Sequence, residues 1–340
     1  MLKGWSHLRK FLNPKVILPT LLAAALLLFA FKLGDIGKVI GRLRMLHLSV
    51  LGIALGCAAC YLGCKAIQLR SMLKHVGVNI PPRPFWLAFA VGELTVTLPL
   101  GLFSQNWVLS AARRVNVGRS SAATVMMLLV EIAVVFLFLA VAGIPGMPDV
   151  RYGAIAAMVF FTSLVTAVLH FEDKLRALPD RLKHDWAKRA ADSGVDLIDG
   201  LRRLCKPHIL PPYLVLGAIY LGALTTAFWL IGHNLGVKKL DYLDATQIYM
   251  FALAVILIGG GLISQIGTID ILGMVVARSF GIDYTNGLVM MLGFRIVWTA
   301  SIWVWCMPIV GTMWREMPSH SDEDKDKDKN SGDRGKEVSG

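Results

Sequence analysis

The sequence predicts an all-α, polytopic helical membrane protein with about six full spans and two re-entrant hairpins in an inverted repeat. Three observations predict it. Hydrophobic residues make up 55% of the 340-residue chain, and the mean hydropathy is +0.59; a water-soluble domain has nowhere to hide so much apolar surface. The apolar residues fall in unbroken tracts that approach the ~20 residues needed to cross a bilayer as helix. Such tracts exclude a transmembrane barrel, whose strands alternate apolar and polar residues. Finally, two stretches read as copies of each other. Gly101-Leu102-Phe103-Ser104-Gln105 is followed by Val125-Met126-Met127-Leu128-Leu129-Val130-Glu131, and Gly261-Leu262-Ile263-Ser264-Gln265 by Val289-Met290-Met291-Leu292-Gly293-Phe294-Arg295. Each pairs a polar break with an apolar helix carrying one ionisable residue, Glu131 or Arg295.

Taken in order, residues 1–15 are basic (Lys3, Arg9, Lys10, Lys15) and Val16 to Leu33 is apolar. No small-residue cleavage pattern follows, so this reads as an uncleaved first span. A polar linker, 34–46, leads to a second span from His47 to about Cys64. Residues 65–83 form a basic loop ending in Pro81-Pro82-Arg83-Pro84. The tract from Phe85 to Phe103 is interrupted by Glu93, Pro99 and Gly101, and a short segment with Gln105, Asn106, Arg113 and Arg114 follows. A helix that stops at Pro-x-Gly and turns back reads as a re-entrant hairpin, a backbone tolerated at membrane depth only inside protein or beside water. The alternative is one full span plus a surface helix.

Ser121 to Gly143 is a span containing Glu131, Tyr152 to His170 the next, and Pro212 to about Ile231 another. Between the last two lies the hydrophilic loop 171–211, read as a solvated surface helix. Leu243 to Ile263 opens the second copy (243–311; the first is 84–144), broken at Gly259-Gly260-Gly261, and Gly287 to Gly311 is the final span. The membrane domain thus covers 1–316. The tail 317–340 is charged and almost without apolar residues, hence expected to be disordered.

The net charge of +12 could suggest nucleic acid. The basic residues lie in loops beside apolar tracts, however, and no basic-aromatic motif occurs, so orientation and anionic head groups account for them. With both hairpins counted as zero crossings, most Lys and Arg fall on one side, which places both termini in the cytoplasm. The loop with Lys38, Arg42 and Arg44 dissents. Of the five cysteines, Cys57, Cys60 and Cys64 share a helix face among Gly, Ala and Leu and read as packing residues. No phosphate loop, zinc helix or nucleophile elbow occurs, so no catalysis, cofactor or metal is expected.

The candidate binding residues are Glu131, Arg295, Asp270, Gln265, Gln105, Glu93, Arg113 and Arg114. A lone charge at the centre of a membrane helix costs ~2.5–3.5 kcal/mol, so Glu131 and Arg295 each need a partner or water. Either Arg295 meets a lipid phosphate and Glu131 balances it, or the two form an ion pair that locks the copies together. Asp270, Gln265 and Gln105 line a cavity or cap broken helices. Glu93 faces the same cavity. Arg113 and Arg114 hold anionic lipid or simply anchor the cytoplasmic side.

The copies resemble the lysylphosphatidylglycerol synthase transmembrane-region family of flippase-like proteins. Leu98-Pro99-Leu100-Gly101, Gly118, Glu131, Gly267-Thr268-Ile269-Asp270, Gly281 and Arg295 carry the resemblance. Departures are Gln105 in place of an acidic residue, no Arg soon after it, no Arg after Glu131 and no proline in the second break; these bear on the substrate more than the fold. The resemblance implies lipid translocation in a bacterial or archaeal plasma membrane. Expected cargoes are an anionic or aminoacylated phospholipid, or a polyprenyl or hopanoid-type lipid. The chain has no room for the aminoacyl-transferase domain of better-known members, so the second expectation is a membrane subunit that presents lipid to a separate transferase.

Overall fold

In a computed structural model, residues 40–42, 44–98, 101–113, 115, 117–170, 184–237, 240–258 and 265–313 are described. The expected first span (Val16 to Leu33), Arg114, the glycine break 259–261 and the tail 317–340 lie outside them. Ten α-helices follow in order: α1 Leu48–His75, α2 Pro82–Thr95, α3 Ser104–Arg113, α4 Val117–Ala142, α5 Pro148–His170, α6 Asp185–Leu204, α7 Leu210–Asn234, α8 Tyr242–Ile258, α9 Gln265–Ala277 and α10 Tyr284–Met313. No strand occurs among the described residues.

Five of these helices (α1, α4, α5, α7 and α10) are long and apolar enough to cross a membrane. They coincide with the five spans expected after the first. Their lengths run from 23 to 30 residues, enough for a hydrocarbon core of about 30 Å at 1.5 Å per residue. α1 runs on past its expected end at Cys64 to His75, so the first half of the presumed basic loop is helix. Only Ala154 of α5 is buried; this helix packs on α4 and leaves the rest of its apolar surface outward.

The core of the molecule is the pair α1 and α7, which lie antiparallel. His47 bonds Asn234 at one end, Tyr61 packs edge-on against Tyr220 in the middle, and Gln68 and Ser71 reach Tyr213 at the other. The two helices end alike. Gly77 (φ 80°) and Gly236 (φ 92°) are left-handed, and in each case the next residue turns back to bond the helix, Val78 N to the Leu73 carbonyl at 2.8 Å and Val237 N to the Gly232 carbonyl at 3.2 Å.

Around this pair the remaining helices exchange partners. α2 packs on α3 and α8 on α9, while α4 packs on α8 and α10 on α2. The turn between α2 and α3 depends on Gly101. A methyl group there would sit 1.7 Å from the Thr95 carbonyl oxygen. The Thr95 hydroxyl fastens the same turn through the Gly101 carbonyl at 2.9 Å and the Ser104 hydroxyl at 2.7 Å.

Two sequence readings change. The hydrophilic loop contains α6, which is not merely solvated: Ile198, Leu201 and Leu204 are buried, and the helix lies along α4. Its backbone comes so close that a Cβ on Gly118 would stand 2.2 Å from the Ser193 carbonyl oxygen, and one on Gly200 2.5 Å from the Ala122 methyl. Small residues allow this approach between helices. The dissenting basic linker also has an explanation. Arg42 donates to the Leu235 carbonyl at 3.2 Å and to the Asn286 side chain, so it serves the open end of α7.

Replacing Gly118 with Val should force α6 off α4 and cost about 1–3 kcal/mol. The check is thermal unfolding in detergent, where the midpoint should fall while helix content at low temperature is kept.

Candidate functional site

Near the middle of α1, Lys65 is buried to 2% exposure. The apolar run that ends at Cys64 continues as helix, so this ammonium is carried inside the bundle instead of leaving at its surface. Its three N–H groups all find acceptors. Nζ donates to the Tyr61 hydroxyl at 2.9 Å, one turn back on the same helix. It pairs with Glu93 Oε1 on α2 at 3.1 Å and with Glu131 Oε1 on α4 at 3.3 Å. Tyr220 on α7 donates its hydroxyl to the same Glu131 oxygen at 3.2 Å. Four helices therefore converge on one cation.

A second charged pair stands apart from the first. Arg295, on α10, donates Nε to Oδ1 of Asp270 on α9 at 2.9 Å and pairs with its Oδ2 at 2.8 Å. Asp270 is fully buried, and it also accepts the Gly267 backbone N–H at 3.2 Å. The carboxylate thus joins an arginine to backbone near the beginning of a broken helix.

Both charged groups face one cavity of about 600 Å³, to whose wall Lys65, Glu93, Glu131, Asp270 and Arg295 all contribute. Aromatic rings make up another part of that wall. Phe294 stacks on Trp298 with centroids 5.4 Å apart and meets Tyr249 edge-on at 5.3 Å, while Tyr61 meets Trp298 at 5.3 Å. Ile296 and Trp303 of α10 also line the cavity, and each is more than half exposed, so the space reaches the surface along α10.

The structure brings Glu93, Glu131, Asp270 and Arg295 together, as the sequence suggested. The bare ion pair between Glu131 and Arg295 does not form, because each already has a nearer partner on another helix. Gln105 lies elsewhere. It is wedged against Gly92, where a Cβ would meet its Oε1 at 3.0 Å. It donates to the Thr124 hydroxyl at 2.9 Å, which in turn donates to Asn106 at 3.1 Å. Those bonds hold α3 between α2 and α4 and keep the amide away from the cavity. Gln265 begins α9. Arg113 ends α3, and the side chains of both, like the whole of Arg114, lie outside the described residues.

Sequence reasoning missed Lys65, Tyr61 and Tyr220. Lys65 was hidden by its position, directly after the apolar run and first in a basic stretch. A signal for the tyrosines was present: Tyr61-Leu62-Gly63 on α1 recurs as Tyr220-Leu221-Gly222 on α7, and these are the rings that meet at the centre of the pair.

Lys65→Met leaves two buried carboxylates without their cation, a loss of about 3–5 kcal/mol for breaking such a pair. The unfolding midpoint in detergent should drop sharply, and adding Glu93→Gln should restore part of it; a double variant no more stable than the single one would contradict this account of the triad.

The family model described as the lysylphosphatidylglycerol synthase TM region matches residues 16–305. No curated protein and no solved structure matches the chain. The match takes in every residue of the charged cavity, from Tyr61 to Trp303. The helices are those of a multi-pass membrane protein, and the chain belongs to the lysylphosphatidylglycerol synthase TM-region family.

Proposed function

We propose that the chain is a lipid flippase, a transporter that carries a polar lipid head group through this cavity while the acyl tails stay in the bilayer. One observation carries the reading. A cavity walled by ionised side chains also opens past the exposed apolar side chains of Ile296 and Trp303. Charges at membrane depth need water or a polar guest, and a side opening onto acyl chains suits a guest that is polar at one end only. Arg295, with its guanidinium at the cavity wall, is the group for a lipid phosphate. An anionic or aminoacylated phospholipid, or a polyprenyl or hopanoid-type lipid, would fit such a site. The setting is the plasma membrane of a bacterium or archaeon, with the termini in the cytoplasm.

The inverted repeat belongs to this reading and has support. α1 and α7 share the Tyr-Leu-Gly triplet and the left-handed glycine end, and they run antiparallel. The exchange of α4 onto α8 and of α10 onto α2 is the pattern that a two-fold relation between halves would produce. α2 and α9, with 14 and 13 residues, rise only about 20 Å each, short of a ~30 Å core. That length suits re-entrant hairpins α2–α3 and α8–α9. The five spanning helices and the first span expected from the sequence would together make six.

The test is movement of a fluorescent phospholipid between leaflets of vesicles holding the purified chain. Arg295→Ala should abolish the movement without loss of folded protein; an unchanged rate would remove Arg295 from the pathway. If the wild-type chain moves no lipid and copurifies with a transferase, the reading passes to a subunit that presents lipid to that enzyme.

A further inference from the structure

The Lys65 group does not balance. One ammonium stands between two carboxylates, which leaves an excess negative charge at the cavity wall. The excess is placed unevenly. Both carboxylates line the cavity, but Glu93 is 3% exposed and Glu131 14%. Both polar contacts of Glu131, from Lys65 and from Tyr220, fall on Oε1. Oε2 therefore keeps its lone pairs for something that enters by the cavity.

We propose that the cavity holds an exchangeable proton, bound on Glu131 Oε2, in addition to its lipid. This rests on the reading of the cavity as a wet transport site. The step is simple: a hydronium in the cavity gives its proton to the carboxylate, leaving a water and a neutral carboxylic acid, and the group as a whole becomes neutral. A metal cation does not fit as well. Lys65 Nζ already occupies the space between the two carboxylates, and no group of three or more His, Cys, Asp or Glu able to hold a metal occurs among the described residues.

The surroundings of Glu131 are defined on every side. α1 presents Lys65 and Tyr61, α2 presents Glu93, and α7 presents Tyr220. Tyr249 of α8 and the Asp270–Arg295 pair of α9 and α10 stand across the same cavity. Cys306, buried on α10, belongs to the helix that packs on α2. The ionisable groups of α5 and α6 that touch α4 do so near its ends, Arg151 at the Val141 carbonyl and Asp196 at Arg119. The neighbouring side chains of α3 that reach α4 are the neutral Gln105 and Asn106. Among the described residues, the cation paired with both carboxylates is Lys65, and Arg295 is paired with Asp270.

Infrared difference spectra of the full chain in lipid nanodiscs, taken while pH is stepped, read this directly and need no lipid movement. One protonated-carboxyl band should appear reversibly in the wild type and be lost in Glu131→Gln. Should that variant fail to fold, Tyr220→Phe serves: it removes the bond to Glu131 Oε1 and leaves Glu93 untouched, so the band should shift in frequency. Absence of the band in the wild type, its persistence in Glu131→Gln, or an unshifted band in Tyr220→Phe overturns the proposal. These outcomes are independent of the Arg295→Ala transport assay, so loss of the proton site and loss of the flippase reading are told apart.

Discussion

A single ammonium inside an apolar bundle sets the terms for the rest of this structure. Lys65 cannot leave the interior because α1 continues for ten residues beyond it, to His75. It can be held there only if acceptors come to it from other helices, since a charge without partners in such a place is costly. Tyr61 supplies one from α1 itself, and Glu93 and Glu131 bring in α2 and α4. Tyr220 then ties Glu131 to α7. The wall of the cavity is thus defined by hydrogen-bond directions and not by apolar packing alone. Directional contacts of this kind favour one arrangement of helices over the many that slippery apolar surfaces would permit.

Much of the architecture was legible in the residues because a membrane imposes a length rule on every spanning helix. The five long apolar tracts within the described residues became five helices of spanning length. Glu131, Arg295, Asp270 and Glu93 stood out for the same reason, as ionisable groups inside apolar runs, and they meet at one cavity. Their partners were another matter. Opposite signs at matched positions suggested that Glu131 would face Arg295, yet pairing is decided by which helices are neighbours, and Lys65 and Asp270 are nearer. Lys65 itself was obscured because hydropathy treats a lysine after an apolar run as the start of a loop, whatever lies on the facing helices. For Gln105 the residues left two roles open, since a polar residue at a helix break can serve the cavity or the break, and the approach of Gly92 and Thr124 favours the break.

The central pair of helices carries a contrast between scaffold and chemistry. α1 and α7 share a tyrosine at their crossing and the same manner of ending. Four residues beyond each tyrosine, however, one has Lys65 and the other Leu224. The charged triad is therefore built on one side of a backbone arrangement that is otherwise closely matched. The other side answers with Asp270 and Arg295, placed on α9 and α10 and not on the central helix. Under the proposed transport reading, two dissimilar polar stations in one cavity would be visited in turn by one guest, which two identical stations would not distinguish.

The close seating of α6 on α4 has a mechanical meaning. Where backbone touches backbone through Gly118 and Gly200, two helices have no side-chain cushion over which to slide. The amphipathic segment and the helix bearing Glu131 therefore shift as one lever. A tilt applied to α6 would reach Glu131 along about 20 Å of stiff helix.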